Sequence, residues 1–191
     1  MNNDDKEYWK KFYEKKPELQ NCSDFCTFVI NYFKYNKNIN SVLDAGCGNG
    51  RDSFVLSKNY KVTGADNCGY ILNNEDNFNF IKEDFVNMNK NNYDLIYSRF
   101  TFHSINNEDQ EKFLKTINSN TYLAIEARSN KGMEEDVYFG KSHYRNYIDL
   151  NYFENLLKQN NFEIMYIKEG IDMAKYKNEN CVCIRTICKK L

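Results

Sequence analysis

The sequence predicts an α/β fold built on a mostly parallel sheet, and three observations carry that expectation. Short apolar runs of strand length alternate with segments of helical spacing, the pattern of parallel strands joined by crossover helices. At residues 41–57 the two patterns meet. Val42-Leu43 open a short buried strand, Asp44-Ala45-Gly46-Cys47-Gly48-Asn49-Gly50 make a tight turn with three alternate glycines, and helical spacing resumes at Arg51. Finally, Asp44, Asp66, Asp84, Arg99 and Arg128 each fall at or just beyond the end of a different expected strand. In an open parallel sheet ligands sit beyond the carboxyl ends of the strands, so these five should converge on one edge.

Taken in order, residues 6–16 are charged but carry Tyr8, Trp9, Phe12 and Tyr13 along one helical stripe. After Pro17, Ser23 or Asp24 caps a helix over 25–33 whose apolar face is Phe25, Phe28, Val29, Tyr32 and Phe33. Residues 34–40 form a polar linker, which leaves 1–40 as two helices ahead of a core at 41–191. Residues 51–57 have helical spacing, with Phe54 and Leu56 inward, and 60–66 form a second strand ending in Asp66. Residues 67–77 are rich in Asn and have room for a turn or two of helix at most, so one face of the sheet is thinly covered there. Strands follow at 78–81, 93–97 and 122–126, with a helix over 108–117 capped by Asn106 or Asn107. A helix over 149–159 (Leu150, Phe153, Leu156, Leu157 inward) leads to two last strands at 162–167 and 181–188. Neither a repeat nor a second domain shows, and 1–191 reads as one domain.

Composition narrows the function. A net charge of -1 with mixed signs lacks the basic surplus of a nucleic-acid binder. No apolar run reaches membrane-span length, and the acidic, polar start Met1-Asn2-Asn3-Asp4-Asp5 is not a signal peptide, so a cytoplasmic protein is expected. The seven cysteines include no Cys-x-x-Cys pair, and His103 and His143 lack zinc-type spacing, so no metal site is expected. A dinucleotide fingerprint would place its third glycine where Arg51 stands, which disfavours a nicotinamide enzyme. An acid at Asp44, directly before the first glycine, suits a cationic ligand better than a pyrophosphate.

Residues 42–50, Val-Leu-Asp-Ala-Gly-Cys-Gly-Asn-Gly, closely resemble motif I of the class I S-adenosylmethionine-dependent methyltransferases. The resemblance implies a three-layer Rossmann-like methyltransferase sandwich, with a seven-stranded mostly parallel sheet and an antiparallel last strand. It implies S-adenosyl-L-methionine as cofactor, its methionine part held by Asp44, Gly46, Cys47, Gly48, Asn49 and Gly50. Asp66, with Asn67 beside it, matches the ribose-binding acid, and Asp84 the acid that meets the adenine amino group, with Phe85 flanking the ring. The N-terminal aromatic helix would be a lid, with Tyr8 and Tyr13 over the cofactor, or simply a helix packed on the sheet.

In this family the loops after strands four and five face the methyl group. Here they supply Arg99, His103, Arg128, His143 and Arg145, the last two from a long insertion. Several guanidinium groups around one pocket suit a phosphate, phosphoramidate or carboxylate, which arginine binds in bidentate fashion. Any one of them can equally pair with Glu126, Glu134, Glu135 or Asp136. A hydroxyl acceptor would need a base, His103 or His143; an anionic oxygen would not. The expected function is methyl transfer, mainly O-methylation, to a small anionic or sugar-linked acceptor. Four further stretches (Arg51-Asp52-Ser53, the run from Tyr97 to His103, Glu126-Ala127-Arg128-Ser129 and His143-Tyr144-Arg145) look like a subgroup found with bacterial surface-polysaccharide genes. With one proline, Pro17, the Asn-Pro-Pro-Tyr motif of DNA-adenine and protein-glutamine enzymes is absent. The alternative is a catalytically silent S-adenosylmethionine-binding partner of another enzyme, which the short 67–77 segment favours and the Arg/His cluster opposes.

Overall fold

The computed structural model of the chain describes residues 3–15, 21–68, 70, 72–132, 144–176 and 179–191. In chain order these form α1 (Asn3–Glu14), α2 (Asp24–Phe33), β1 (Ser41–Ala45), α3 (Ser53–Leu56), β2 (Lys61–Ala65), β3 (Phe78–Ile81) and β4 (Leu95–Arg99). There follow α4 (Asn107–Lys115), β5 (Tyr122–Arg128), α5 (Leu150–Gln159), β6 (Phe162–Gly170), β7 (Lys175–Tyr176), β8 (Glu179–Asn180) and β9 (Cys183–Lys190). Seven strands make one sheet in the order β3-β2-β1-β4-β5-β9-β6. Strands β3, β2, β1, β4 and β5 pair parallel, and the last strand, β9, runs antiparallel between β5 and β6. This is the methyltransferase sheet expected from the sequence.

Alternation along the central strands sends side chains to two separate cores. Leu43, Ile96, Leu123 and Ile125 pack with Phe113, Phe153 and Leu157 under α4 and α5. Their neighbours Val42, Leu95, Tyr97 and Ala124 pack with Phe25, Val29 and Phe33 of α2. Chain order leaves β1 toward β2 on one side and returns to β4 on the other, so strand order reverses beside the Gly46–Gly50 turn. That reversal is where open α/β sheets bind ligands.

Several elements depart from expectation for identifiable reasons. Helix α3 is only four residues, and its N-cap residue Asp52 makes no side-chain cap bond. Its carboxylate is taken by α2 instead. Strand β4 lies two residues beyond its expected place, since the Asp94 carboxylate accepts the N–H groups of Asn40 and Ser41 (both 2.9 Å) and so belongs to the connection below the sheet. The strand consequently ends on Arg99, and β5 ends on Arg128. A 3-10 turn at Phe102–Ser104 and the small β7–β8 hairpin were not expected. Between Asn67 and Asn77 the described residues contain no helix, in line with the Asn-rich sequence. No helix among the described residues is long and apolar enough to cross a membrane.

Candidate active site

The turn after β1 is built on backbone that only glycine adopts readily. Gly46, Gly48 and Gly50 have φ of +80°, +55° and +75°. Space is as restrictive as conformation: a Cβ on Gly46 would lie 2.1 Å from Thr101 Cγ2, and one on Gly48 2.3 Å from the Tyr13 hydroxyl. The turn is tied to β2 by the Gly46 and Cys47 N–H groups, which donate to the Ala65 carbonyl at 2.8 and 3.2 Å. Asp66 completes it, accepting the Gly48 N–H (2.9 Å) on one oxygen and the Cys68 N–H (2.8 Å) on the other. Asp44 is buried at the strand end and accepts the Ser53 hydroxyl at 2.6 Å. Burial pushes its carboxyl up to about 7; the Ser53 bond pulls it back, and Asp52 and Asp66 push it further up.

Beside the turn lies a cavity of about 490 Å³. It is lined by Asp44, Gly46, Cys47 and Asn49, by Asp66, Asn67 and Cys68, and by Phe85. Trp9, Phe12 and Tyr13 of α1 line it too, as do Arg99, Phe100, His103, Arg128 and Arg145. Of the described residues expected at the site, all but four line this cavity. Gly48 and Gly50 are off the wall, tucked against Tyr13 and against Phe54 and Leu72. Asp84 is also off it, because its carboxylate accepts the Val86 N–H (3.0 Å) and the Asn87 amide (3.2 Å) within its own turn. Tyr8 is not on the wall either; its ring packs on Trp9 and Phe12, and Trp9 and Phe12 face the cavity with Tyr13. His143 lies outside the described residues.

Arg99 departs most from the sequence reading. Its Nε donates to Glu126 at 3.0 Å, and the other Glu126 oxygen takes Nε and Nη2 of Arg185 at 2.9 and 2.6 Å. Glu126 is fully buried, so Arg99 borders the cavity chiefly as half of an internal ion pair. Burial pushes the Glu126 carboxyl up, and the two guanidinium groups pull it back. Arg185 was missed, although a signal existed: an acid inside the apolar run Tyr122-Leu-Ala-Ile-Glu126 needs a cation, and Arg185 is its register partner across β5–β9.

Phe100, also unforeseen, follows directly. Its φ of +58° is left-handed, which a bulky residue adopts only when its surroundings impose it. Here its N–H donates to the Glu126 carbonyl at 2.8 Å, and the guanidinium groups of Arg99 and Arg128 lie 4.4 and 5.2 Å from its ring. His103 meets the ring edge-on, centroids 5.5 Å apart, and its Nδ1 accepts the Arg128 backbone N–H at 3.1 Å. Arg145 donates to the Tyr147 hydroxyl at 3.1 Å, and the Tyr144 N–H donates to Asp5 at 2.9 Å, which joins α1 to this end of the cavity. A last unforeseen cluster anchors α2. Asp52 accepts the N–H and hydroxyl of Ser23 and the hydroxyl of Tyr97, all at 2.7 Å. Burial pushes the Asp52 carboxyl up, but Arg99, Arg51 and the Ser23 bonds outweigh it and hold it below the ordinary range.

A methyltransferase-domain family model matches residues 18–167. Among curated relatives, an uncharacterized methyltransferase of Schizosaccharomyces pombe is 28% identical over 149 residues, which is 69% of this chain and 96% of the relative. Among solved structures, an S-adenosylmethionine-dependent methyltransferase from Methanosarcina mazei superposes with a TM-score of 0.67 at 17% identity, over 84% of this chain and 97% of that one. The 1,6-didemethyltoxoflavin-N1-methyltransferase of Burkholderia thailandensis, solved with S-adenosylhomocysteine, gives 0.64 at 12% identity over 87% and 76%. The chain belongs to the methyltransferase-domain family. It is an S-adenosylmethionine-dependent methyltransferase. The site fits that cofactor: a left-handed glycine turn with no room for side chains, a buried acid at the strand end, and a cavity of ligand size.

Proposed function

We propose that this methyltransferase acts on the oxygen of a small acceptor carrying a phosphate or carboxylate, free or on a sugar. The observation that carries the reading is that Arg128 and Arg145 line the same cavity as His103 and the glycine turn. In this reading Asp44 and the turn hold the amino-acid end of the cofactor, Asp66 and Asn67 its ribose, and Phe85 the base. Bound there, S-adenosylmethionine supplies an electrophilic methyl group. The chain's part is mainly positional: it holds the acceptor oxygen in line and keeps water out. Tyr13, Phe12 and Trp9 exclude water from above, and Arg128 and Arg145 orient the anion.

His103 favours an anionic acceptor over a neutral hydroxyl. With Nδ1 accepting the Arg128 N–H, the neutral ring carries its proton on Nε2, which makes that nitrogen a donor rather than a base. A donor suits an oxygen that is already charged. A small-molecule acceptor, with no nucleic acid and no metal, completes the reading.

Two measurements test it. S-adenosylhomocysteine at a hundred times its dissociation constant should stabilise the wild type by about 2.7 kcal/mol, and Asp66→Ala should lose that stabilisation at the same concentration. Production of S-adenosylhomocysteine should then be followed across phosphate-, phosphoramidate-, carboxylate- and hydroxyl-bearing compounds. Arg128→Ala is expected to lower kcat/KM by roughly 10- to 100-fold, the worth of a charged hydrogen bond, with His103→Ala milder and no acidic limb lost from the pH profile. The reverse ranking would establish a hydroxyl acceptor with His103 as base. Cofactor binding without turnover on any acceptor would favour the silent module.

A further inference from the structure

Cys181 and Cys183 flank Val182 at the start of β9, and their Sγ atoms lie 3.3 Å apart. A disulfide needs about 2.05 Å, so joining them takes rotation of both side chains together with a shift of the backbone between them. Their surroundings connect them to the acceptor end of the cavity. Cys183 is buried with Met173 and Ala174, and Phe100 and Cys181 pack against that cluster. In the β5–β9 ladder Cys183 stands opposite Arg128. The carbonyl of Val182, between the two thiols, accepts the N–H of Ser129, the residue after Arg128, at 2.9 Å. Arg128 in turn holds His103 through its own N–H.

We propose that Cys181 and Cys183 are a reversible oxidation site, closed to an intrachain disulfide by a low-molecular-weight disulfide such as oxidised glutathione. Cys181, half-buried, is the entry point: its thiolate attacks the small disulfide and expels one glutathione thiolate. Cys183, within reach, deprotonates and attacks the Cys181 sulfur of the mixed disulfide, expelling the second. The protein loses two hydrogens and two electrons, and two glutathione thiols form. Drawing the sulfurs together bends the backbone at Val182, turns its carbonyl from Ser129, and loosens the strand end that carries Arg128. Oxidation therefore acts on the acceptor end of the cavity.

The test is a glutathione redox titration of the whole chain, read by peptide mass mapping and by amide hydrogen exchange. The expected result is a fragment spanning both cysteines that is lighter by two hydrogens and restored by dithiothreitol. Exchange at Ser129 should be roughly tenfold faster in the oxidised form. Cys181→Ser, a change at a half-buried position, should show neither effect. A stable glutathione adduct on Cys181 alone, oxidation only elsewhere (for example at Cys22 and Cys26), or a closed disulfide with unchanged exchange at Ser129 would each overturn the proposal.

Discussion

Asp44→Asn is expected to raise the melting temperature of the ligand-free protein at pH 8 while lowering affinity for S-adenosylhomocysteine at least 100-fold. The carboxyl is buried and its titration is displaced up to about 7. The folded chain therefore keeps this proton to about pH 7, whereas the unfolded chain releases it near 4. Between those values the unfolded state binds fewer protons, so Asp44 removes stability as pH rises, and the full loss is in place above about 7. A displacement of that size corresponds to a few kcal/mol. An asparagine carries no charge and still accepts the Ser53 hydroxyl hydrogen; burying its amide returns part of the gain. A net 1–2 kcal/mol, or about 3–6 °C in Tm, should remain at pH 8 and vanish at pH 5, where the wild type is neutral too. Binding runs the other way. If the ionised carboxylate receives the cationic end of the cofactor, wild-type affinity for S-adenosylhomocysteine should climb about tenfold per pH unit towards 7 and then level off. Melting curves and calorimetry at pH 5, 6, 7 and 8 check both halves. A pH-independent wild-type affinity, or an Asn variant that binds normally, would remove Asp44 from the cofactor site.

Why Asp44 could be read from sequence and Arg99 could not is a matter of range. Asp44, the glycine turn and Asp66 are set by local requirements: a strand that must end, a backbone that must turn left-handed, a second strand in parallel register. Each leaves a mark on neighbouring residues. The fate of Arg99 depends on Glu126, 27 residues away, and on Arg185, 59 beyond that; the sequence offers Glu126 as one of four acids for any of the arginines, but nothing local chooses the pair. Asp84 lies off the cavity for a reason at the opposite scale, since its own turn, through the Val86 N–H, takes the carboxylate. The left-handed Phe100 carries no signal at all, because the usual mark of that conformation is a glycine. Asp52 was hidden likewise, since only the packing of α2 brings Ser23 and Tyr97 to its carboxylate.

The buried cluster of Glu126 with Arg99 and Arg185 also gives the largest stability prediction. Glu126→Ala should destabilise the fold by about 3–5 kcal/mol, because it leaves Arg185 buried without the charge that compensates it and takes from the part-buried Arg99 its hydrogen-bonded partner. In a chain of this size that corresponds to a fall in Tm of roughly 10 °C or more. The damage should spread along Arg185, whose guanidinium lies 5.3 and 5.0 Å from the rings of Phe25 and Phe28 and donates to the Met173 carbonyl at 2.8 Å. A buried ion cluster is not in itself stabilising relative to a well-packed apolar one. The triple variant Glu126→Leu, Arg99→Met, Arg185→Met should therefore recover most of what Glu126→Ala loses, and urea melts of the two side by side measure it. That recovery would separate the two roles open to Arg99. Were it an anion-binding cation, the triple variant would refold in stability yet lose acceptor affinity as severely as Arg128→Ala does. If it serves Glu126 alone, stability and acceptor affinity return together. A Glu126→Ala protein melting within about 3 °C of wild type, less than 2 kcal/mol on the same scale, would mean that the arginines find water or new partners there, and the cluster would no longer explain why Phe100 is held in its strained conformation.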